Sequence, residues 1–338
     1  MGGNSKRVKE EKRGSFRGAA GRERFRAALL AWYDESRRDL PWRRTRDPYA
    51  IWLSEIMLQQ TRVAAVLEHY KLFLEKFPDV RALAAATEDE VLAAWSGLGY
   101  YRRARMLHRC AKEIVEMRGG EFPATAAELR ELPGIGRYTA AAIASIAFDE
   151  PVAVVDGNVE RVLERLDGRV LTTEHDWERA QELLSEARPG DFNQAMMELG
   201  ATVCVPRDPQ CLLCPVRTWC GTRGEVPGKR KASRQKKMEI WCALDQREGR
   251  IRLVQRSKQS SLMAGMWELP QWAEAPPGSD GMVHWKTFRH SITVTNYTVH
   301  VFRGRGSAVR GKWVAIEEIS ELPITGLTRK ILKAADII

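Results

Sequence analysis

Two acidic residues stand where their carboxyl groups could do acid–base chemistry. Glu55 is the only acidic residue of segment 49–61, which is otherwise apolar on nearly all sides. A helix of that kind is buried, and burial raises the pKa of a carboxyl group toward neutrality, as a general acid requires. A structural ion pair with a nearby arginine would account for Glu55 equally well.

Asp156 is the second candidate. It precedes a segment in which Val159, Val162, Leu163 and Leu166 fall on one helical face, so it occupies an N-cap position. Helix capping alone would explain an aspartate there. Its position downstream of the buried acid and of a glycine-rich hairpin makes it a candidate for chemistry as well.

A glycine-rich hairpin lies between these two acids. Segment 132–136 (Leu-Pro-Gly-Ile-Gly) ends one apolar-periodic stretch, and a second helix is predicted to run from about residue 139. Gly136 allows a positive φ, and together with Gly134 it would leave backbone N–H groups bare at the helix start. Such groups suit one phosphate, whereas an ordinary turn with a glycine C-cap is the simpler alternative.

Four cysteines lie close together in the order Cys204-x6-Cys211-x2-Cys214-x5-Cys220. In a reducing compartment this spacing indicates metal ligands. Four-cysteine zinc sites usually contain two separated close pairs, and here there is only one, so a [4Fe–4S] cluster is favoured over zinc. Cys110 and Cys242 lie far from this group and are expected to be plain buried thiols.

The composition indicates a polyanionic partner. The 338 residues carry a formal charge of +10, with 44% hydrophobic residues and a pI near 9.4, which is typical of proteins that bind nucleic acid or anionic membranes. No apolar run approaches the roughly 18 to 20 residues that span a bilayer, and the basic N-terminus lacks an apolar signal segment. We therefore expect a cytoplasmic protein with no membrane partner.

Hydrophobic periodicity divides the chain into a helical and a mixed part. The sequence predicts a basic disordered tail at 1–19, an all-α domain at 20–222, a basic linker at 223–237 and an α+β domain at 238–338. Helices are predicted near 21–36, 48–61, 62–77, 87–95, 100–118, 126–131, 139–148, after Asp156, 176–187, 191–202 and 325–336. Strands are predicted at 238–244, 250–255 and 293–302. The fold class is multidomain.

Glu55, the glycine hairpin, Asp156 and the cysteine loop resemble, in order and spacing, the helix–hairpin–helix DNA glycosylases of the endonuclease III superfamily. Segments 52–61 and 155–159 look like the MutY family of adenine DNA glycosylases, which remove adenine mispaired with 8-oxoguanine. The resemblance implies a monomer with a [4Fe–4S] cluster that acts on double-stranded DNA containing A:8-oxoG or A:G mispairs.

The resemblance also implies catalytic roles. Adenine would be flipped out of the duplex and protonated by Glu55, while Asp156 stabilises the oxocarbenium-like sugar. Tyr138 and Asn158 would orient Asp156 and the attacking water, and Arg43 would lie near the same pocket. Tyr138 occupies the position where lyase members carry a Schiff-base lysine, which implies base excision without efficient strand cleavage.

Further residues match DNA contacts of the family. Gln60 and Tyr100 match residues that wedge into the base stack, Thr61 and Leu98 match residues near 8-oxoguanine, and Gly134 and Gly136 form the phosphate-binding hairpin.

The C-terminal part is similar to the MutT-like, Nudix-type module that recognises 8-oxoguanine, through segment 265–270 and through Phe288, Arg289 and His290. The glutamate-rich metal-binding helix of Nudix hydrolases is missing from the sequence, which implies lesion recognition without hydrolysis. Many relatives have serine or threonine in place of Arg289.

Two other classes of function stay open at this point. One is a different glycosylase, either a thymine-mismatch enzyme or an endonuclease III-like lyase. The other is a DNA-binding lesion sensor that keeps the scaffold without the chemistry.

Overall fold

The computed structural model describes residues 18–224, 236–274, 281–292, 295–304 and 310–338. Most of the predicted basic tail and of the predicted linker lies outside these residues. The chain divides into two compact units, Met1–Glu55 with Phe122–Arg230 and Ile56–Glu121 with Lys231–Ile338. Each unit combines two separate chain segments, so the division does not follow the predicted domain boundaries.

Within the described residues, the helices in chain order are α1 (Ala19–Ser36), α2 (Pro48–Leu58), α3 (Val63–Lys76), α4 (Val80–Ala85), α5 (Glu88–Ala94), α6 (Arg102–Arg118), α7 (Ala126–Leu129), α8 (Arg137–Ala147), α9 (Gly157–Asp167), α10 (Thr173–Leu183), α11 (Pro189–Thr202) and α12 (Gly326–Ala334). The strands are β1 (Lys236–Leu244), β2 (Gln246–Arg247), β3 (Arg250–Gln255), β4 (Trp267–Glu268), β5 (Gln271–Trp272), β6 (Met282–Ile292), β7 (Thr295–Gly304) and β8 (Lys312–Ala315). None of these helices is long and apolar enough to cross a membrane.

The first unit is helical. Its main core joins the apolar faces of α1, α9, α10 and α11, and includes Phe25, Leu163 and Phe192. Helix α8 is rich in alanine and almost wholly buried, and α7 and α11 both pack against it. Small side chains let neighbouring backbones approach closely. The predicted helices of this part are confirmed, with bounds shifted by a few residues.

The second unit contains α3 to α6, the sheets and α12. Phe73 packs edge-on against Phe77 and Trp95, and a capping box between Thr87 and Glu90 starts α5. Helix α4 was not predicted. It has six residues and is capped by the Asp79 carboxylate, and it is too short to display a helical repeat of apolar residues.

Among the residues described, two four-stranded sheets and α12 make up the rest of this unit. One has the order β5-β1-β7-β6, and in the other β2, β3 and β4 are joined by β8, which pairs with β3. Strands β1 and β7 run parallel, with Lys236 opposite Thr295. The predicted strands correspond to β1, β3 and β7. Strand β6 was missed because exposed residues interrupt its alternation of apolar and polar side chains.

Candidate active site

Glu55 lies on buried α2 and is 6% exposed. Desolvation raises the pKa of its carboxyl group to about 7, and the charge of Asp156 adds to the rise, while the Tyr138 hydrogen bond and Arg43 oppose it. No described basic side chain lies within ion-pair distance of Glu55, so the alternative of a structural ion pair has no support in this part of the chain. A large fraction of Glu55 is therefore protonated near neutral pH.

Asp156 is the N-cap of α9. Its Oδ1 accepts hydrogen bonds from the backbone N–H groups of Asn158 at 2.9 Å and Val159 at 2.8 Å. Its Oδ2 accepts one from the Asn158 side-chain amide at 2.9 Å. Capping and chemistry are therefore compatible here, since the cap holds the carboxylate in one orientation beside the acid that it affects electrostatically.

The Tyr138 hydroxyl donates to Glu55 Oε2 at 2.6 Å and lies 3.4 Å from the sulfur of Met197. The sequence-based expectation that Tyr138 orients Asp156 is thus not what the structure shows: its hydrogen bond goes to the other carboxyl group. Burial and the two nearby carboxylates raise the pKa of Tyr138 well above 10, so the hydroxyl stays protonated and remains a donor.

Asn158 is held by a second polar residue of α9. Arg161 donates to the Asn158 side-chain oxygen at 2.8 Å, to the Gly200 carbonyl at 2.7 Å and to the Cys204 carbonyl at 2.8 Å. A Cβ atom on Gly200 would lie 2.7 Å from the Asn158 Cβ, so α11 can approach α9 this closely only with glycine there. Asp156 is thereby connected through Asn158 to the beginning of the cysteine loop.

Arg43 pairs with Glu198, a fully buried acid on α11, at 2.7 Å. Arg38 also pairs with this carboxylate, through two hydrogen bonds of 2.8 and 2.7 Å. Burial alone would raise the pKa of Glu198, but the hydrogen bonds from Arg38 and Arg43 outweigh it and lower the pKa to about 2. At neutral pH Glu198 is therefore ionised, whereas a large fraction of Glu55 is protonated.

The glycine hairpin connects α7 to α8. Gly134 has a φ of 82°, whereas Gly136 is the N-cap of α8 with a φ of −86° and no side-chain cap. The positive φ that the sequence allows at Gly136 is therefore not adopted there. It occurs at the turn residue Gly134, where only glycine is unstrained. Gly136 provides no side-chain cap, so the start of α8 is a candidate for an anion site built from backbone N–H groups.

The four predicted metal ligands, Cys204, Cys211, Cys214 and Cys220, line one pocket. Arg165 donates to the Cys204 sulfur at 3.2 Å and the Arg223 backbone N–H donates to the Cys220 sulfur at 3.3 Å. In the part of the chain that is described, no three His, Cys, Asp or Glu side chains are arranged as a metal site. Four thiols around one pocket with N–H donors to two sulfurs nevertheless fit the chemistry of a thiolate-bound cluster.

The predicted wedge residues lie in the second unit. Gln60 and Tyr100 both have left-handed backbones, with φ of 56° and 49°, and Tyr100 is 42% exposed whereas Leu98 is buried. Helix α2 ends at Leu58, three residues before its predicted end, and the φ of Gln60 does not permit a helical continuation. Two exposed turns thus carry these residues.

Arg103 joins these two turns. Its guanidinium donates to the carbonyls of Ile56 and Gln59, both at 2.6 Å, and to the Leu98 carbonyl at 3.3 Å. Desolvation lowers the pKa of Arg103 to about 10. The Arg103 side chain thus faces inward and binds carbonyl groups.

The three predicted lesion-recognition residues of β6 are not equivalent. Phe288 packs in the core of the second unit, His290 is half-buried, and only Arg289 is exposed. Phe288 therefore anchors β6 to the hydrophobic core. Of the three, Arg289 has the side chain that solvent or a ligand can reach most easily.

Residues 53–187 match the model of the HhH-GPD superfamily of base excision DNA repair proteins. A solved structure of a thermostable thymine-DNA glycosylase is 33% identical, with a TM-score of 0.57, and the likeness covers 60% of this chain and 96% of that one. The chain belongs to the HhH-GPD superfamily.

Other relatives of this HhH-GPD protein extend the comparison. The adenine DNA glycosylase of Mus musculus is 42% identical over 308 residues, which cover 73% of this chain and 60% of the relative. This chain thus spans about three fifths of the length of that relative. A non-covalent endonuclease III–DNA complex has a TM-score of 0.52 at 24% identity, covering 60% of this chain and 96% of that one, and it supports the fold alone.

Sequence reasoning missed three residues that hold the site of this HhH-GPD protein. Glu198 has the same signal that revealed Glu55, an acid inside an apolar helix. Arg161 follows Asn158 by three positions, a spacing that places two side chains on one helical face. No sequence signal marks Gly200, because its role depends on how two distant helices meet.

Proposed function

We propose that this chain is a monofunctional DNA glycosylase that excises adenine from A:8-oxoG or A:G mispairs in double-stranded DNA. The observation that carries the proposal is the pair of carboxyl groups with opposite roles. Glu55 has a pKa near 7, and Asp156 is held by three N–H donors. The adenine DNA glycosylase relatives support adenine as the base.

Each step of the reaction has a residue suited to it. Once adenine leaves the base stack, protonated Glu55 gives its proton to a ring nitrogen, and the glycosidic bond electrons leave with the neutral base. Positive charge then develops on the sugar, and the Asp156 carboxylate stabilises it. Water adds to the sugar carbon and gives its proton to Glu55, which the first step left as a carboxylate. Asn158 keeps the carboxylate oriented throughout.

The absence of efficient strand cleavage is part of the proposal. A lyase needs an amine that can form a Schiff base, and position 138 carries tyrosine. Its hydroxyl is engaged with Glu55 at 2.6 Å and has a raised pKa, so it serves as a hydrogen-bond donor to the acid. The product is then an abasic site with an intact strand.

DNA binding is assigned to the hairpin and to the exposed turns. The uncapped start of α8 would bind one phosphate. Tyr100 and Gln60 would fill the gap left by the flipped base. Thr61 and Leu98 would lie near 8-oxoguanine, and β6 would recognise that base through Arg289 and His290. We assign the chain as a monomeric, cytoplasmic enzyme.

A substrate panel tests this function. Single-turnover assays on duplexes with A:8-oxoG, A:G, T:G or an oxidised pyrimidine should show adenine release, fastest opposite 8-oxoguanine, with no strand break before alkali treatment. Release of thymine but not adenine would favour the thymine-mismatch alternative. Tight binding of all four duplexes without base release would support a lesion sensor instead.

A [4Fe–4S] cluster is the cofactor that we assign to the cysteine pocket, held by Cys204, Cys211, Cys214 and Cys220. When bound, it would fix the loop that follows α11 and present a charged group near the protein surface.

Protein purified without oxygen should be brown with broad visible absorbance, and Cys211→Ser should remove the colour. Cys110→Ala is the matched control, because Cys110 is a fully buried thiol far from the pocket in sequence. A colourless wild-type protein containing one zinc ion per chain would refute the assignment.

A further inference from the structure

Helix α12 contacts the turn at residues 96–101, which we call the wedge turn because it carries Leu98 and Tyr100. The Ser96 hydroxyl donates to the Ile324 carbonyl at 2.8 Å, and the Tyr101 hydroxyl donates to the same carbonyl at 3.1 Å. Ser96 and Tyr101 are each 3% exposed. A segment distant in sequence thus binds both ends of the wedge turn through one buried acceptor.

Arg329 completes this contact. Its Nε donates to the Ser96 hydroxyl at 2.9 Å, so Ser96 accepts from Arg329 and donates to Ile324. Arg329 is half-buried, and this burial lowers the pKa of its guanidinium. A partly desolvated cation on a buried hydroxyl gives a stronger and more directional hydrogen bond than a neutral donor would.

The Ile324 carbonyl is itself fixed to the sheet. Trp267 of β4 donates its backbone N–H to Pro323 at 2.9 Å and accepts one from Thr325 at 2.9 Å. Thr328 of α12 accepts the Leu269 N–H at 3.0 Å. The first turn of α12 therefore cannot shift without breaking hydrogen bonds to the sheet.

The next residue of α12 contacts the strand that carries Arg289. Lys330 donates to the Arg289 carbonyl at 2.8 Å, and its ammonium group lies 6.0 Å from the centre of the Phe288 ring. Consecutive residues thus reach two different elements: Arg329 holds the wedge turn and Lys330 holds β6.

We propose that α12 is a positioning element that sets the wedge turn at a fixed distance from β6, with Arg329 and Lys330 as its two contacts. The inference rests on the proposed function for the roles of Tyr100 and Arg289 on DNA. It assigns Arg329 as a residue that touches no DNA and yet sets how much faster adenine is released opposite 8-oxoguanine than opposite guanine. If β6 must contact 8-oxoguanine while the wedge turn enters the base stack, the Arg329 contact couples the two events. Loosening it then lowers the rate of adenine release opposite 8-oxoguanine more than the rate opposite guanine.

Arg329→Met tests the proposal, because it keeps the aliphatic stem and removes the donor. Lys333→Met is the matched control, since Lys333 is an exposed cation of the same helix. We expect faster amide hydrogen exchange at residues 97–101 in Arg329→Met and not in Lys333→Met. Arg329→Met should also lower the ratio of the single-turnover rate on A:8-oxoG to that on A:G roughly tenfold. In a Tyr100→Ala background, the further loss on adding Arg329→Met should shrink to less than about twofold.

Unchanged exchange at 97–101, equal losses on both substrates, or full additivity with Tyr100→Ala would each overturn the proposal. Should Arg329→Met not fold, Tyr101→Phe removes the second hydrogen bond to Ile324 and must give the same pattern. A wild-type protein that releases no adenine would refute the proposed function, whereas the exchange measurement on the free protein still decides whether Arg329 holds the wedge turn.

Discussion

Asp156→Asn should lower the single-turnover rate of adenine release at least about a thousandfold, since losing a charge that stabilises the transition state costs about 4 kcal/mol of barrier. Asparagine caps a helix as well as aspartate, so α9 and the fold should persist. Its amide carries no charge to stabilise a cationic sugar. The measurements are the excision rate, the affinity for an A:8-oxoG duplex and the thermal unfolding midpoint.

Asp79→Asn provides the matched control, because Asp79 is also an N-cap aspartate, with its carboxylate accepting the Ala82 N–H at 2.8 Å. Excision by Asp79→Asn should equal that of the wild type. If Asp156→Asn retained wild-type excision, Asp156 would be a cap and nothing more, and the mechanism proposed above would have to be abandoned.

Glu55→Gln is expected to abolish general-acid catalysis and, above pH 7, to stabilise the fold. The pKa of Glu55 is about 7 in the folded chain against an ordinary value of 4.5, which corresponds to about 3 kcal/mol. Below pH 4.5 the carboxyl group is neutral whether or not the chain is folded, so its burial does not lower the free energy of unfolding. As pH rises from 4.5 through 7, the free energy of unfolding of the wild-type chain falls by about 3 kcal/mol, because the buried carboxyl group must ionise. Glutamine does not ionise, so Glu55→Gln does not lose this stability.

The measurements are denaturant unfolding and excision between pH 5 and pH 9. Wild-type excision should fall as pH rises through about 7, because the proton donor is lost. Glu55→Gln should be more stable than the wild type at pH 9, with no gain at pH 4. A variant less stable at every pH would show that the charged form of Glu55 is stabilised by partners.

Glu198→Gln is the contrasting variant, since Glu198 is also buried but has a pKa near 2. At pH 7 it should lose about 3 kcal/mol of stability, because Arg38 and Arg43 would be left without their shared carboxylate. The two substitutions are chemically identical and should change stability in opposite directions.

The sequence predicts those parts of the site that depend on local pattern. Glu55 is conspicuous because it is the one acid in an apolar helix, and Asp156 because it precedes an amphipathic one. The burial predicted for Cys110 and Cys242 is also confirmed. Each of these signals depends only on residues that are close in sequence, so it can be recognised without the folded structure.

Features that depend on how distant segments meet were not predictable. Which carboxyl group receives the Tyr138 hydroxyl depends on the packing of α2 against α8, and both choices agree with the sequence. Arg103 could face phosphate or backbone carbonyls, and only the positions of two turns decide between them. Either glycine of the hairpin tolerates a positive φ, so the pattern could not assign it to Gly134.

Gly200 shows that a residue without a functional group can be as constrained as one that has such a group. Its missing Cβ leaves the space in which Asn158 stands, so even alanine would displace the amide that orients Asp156. A mutational scan of α11 should therefore record intolerance at this position. Ranked by chemistry alone, Gly200 would be dismissed as a packing residue, although the site that it protects lies on another helix.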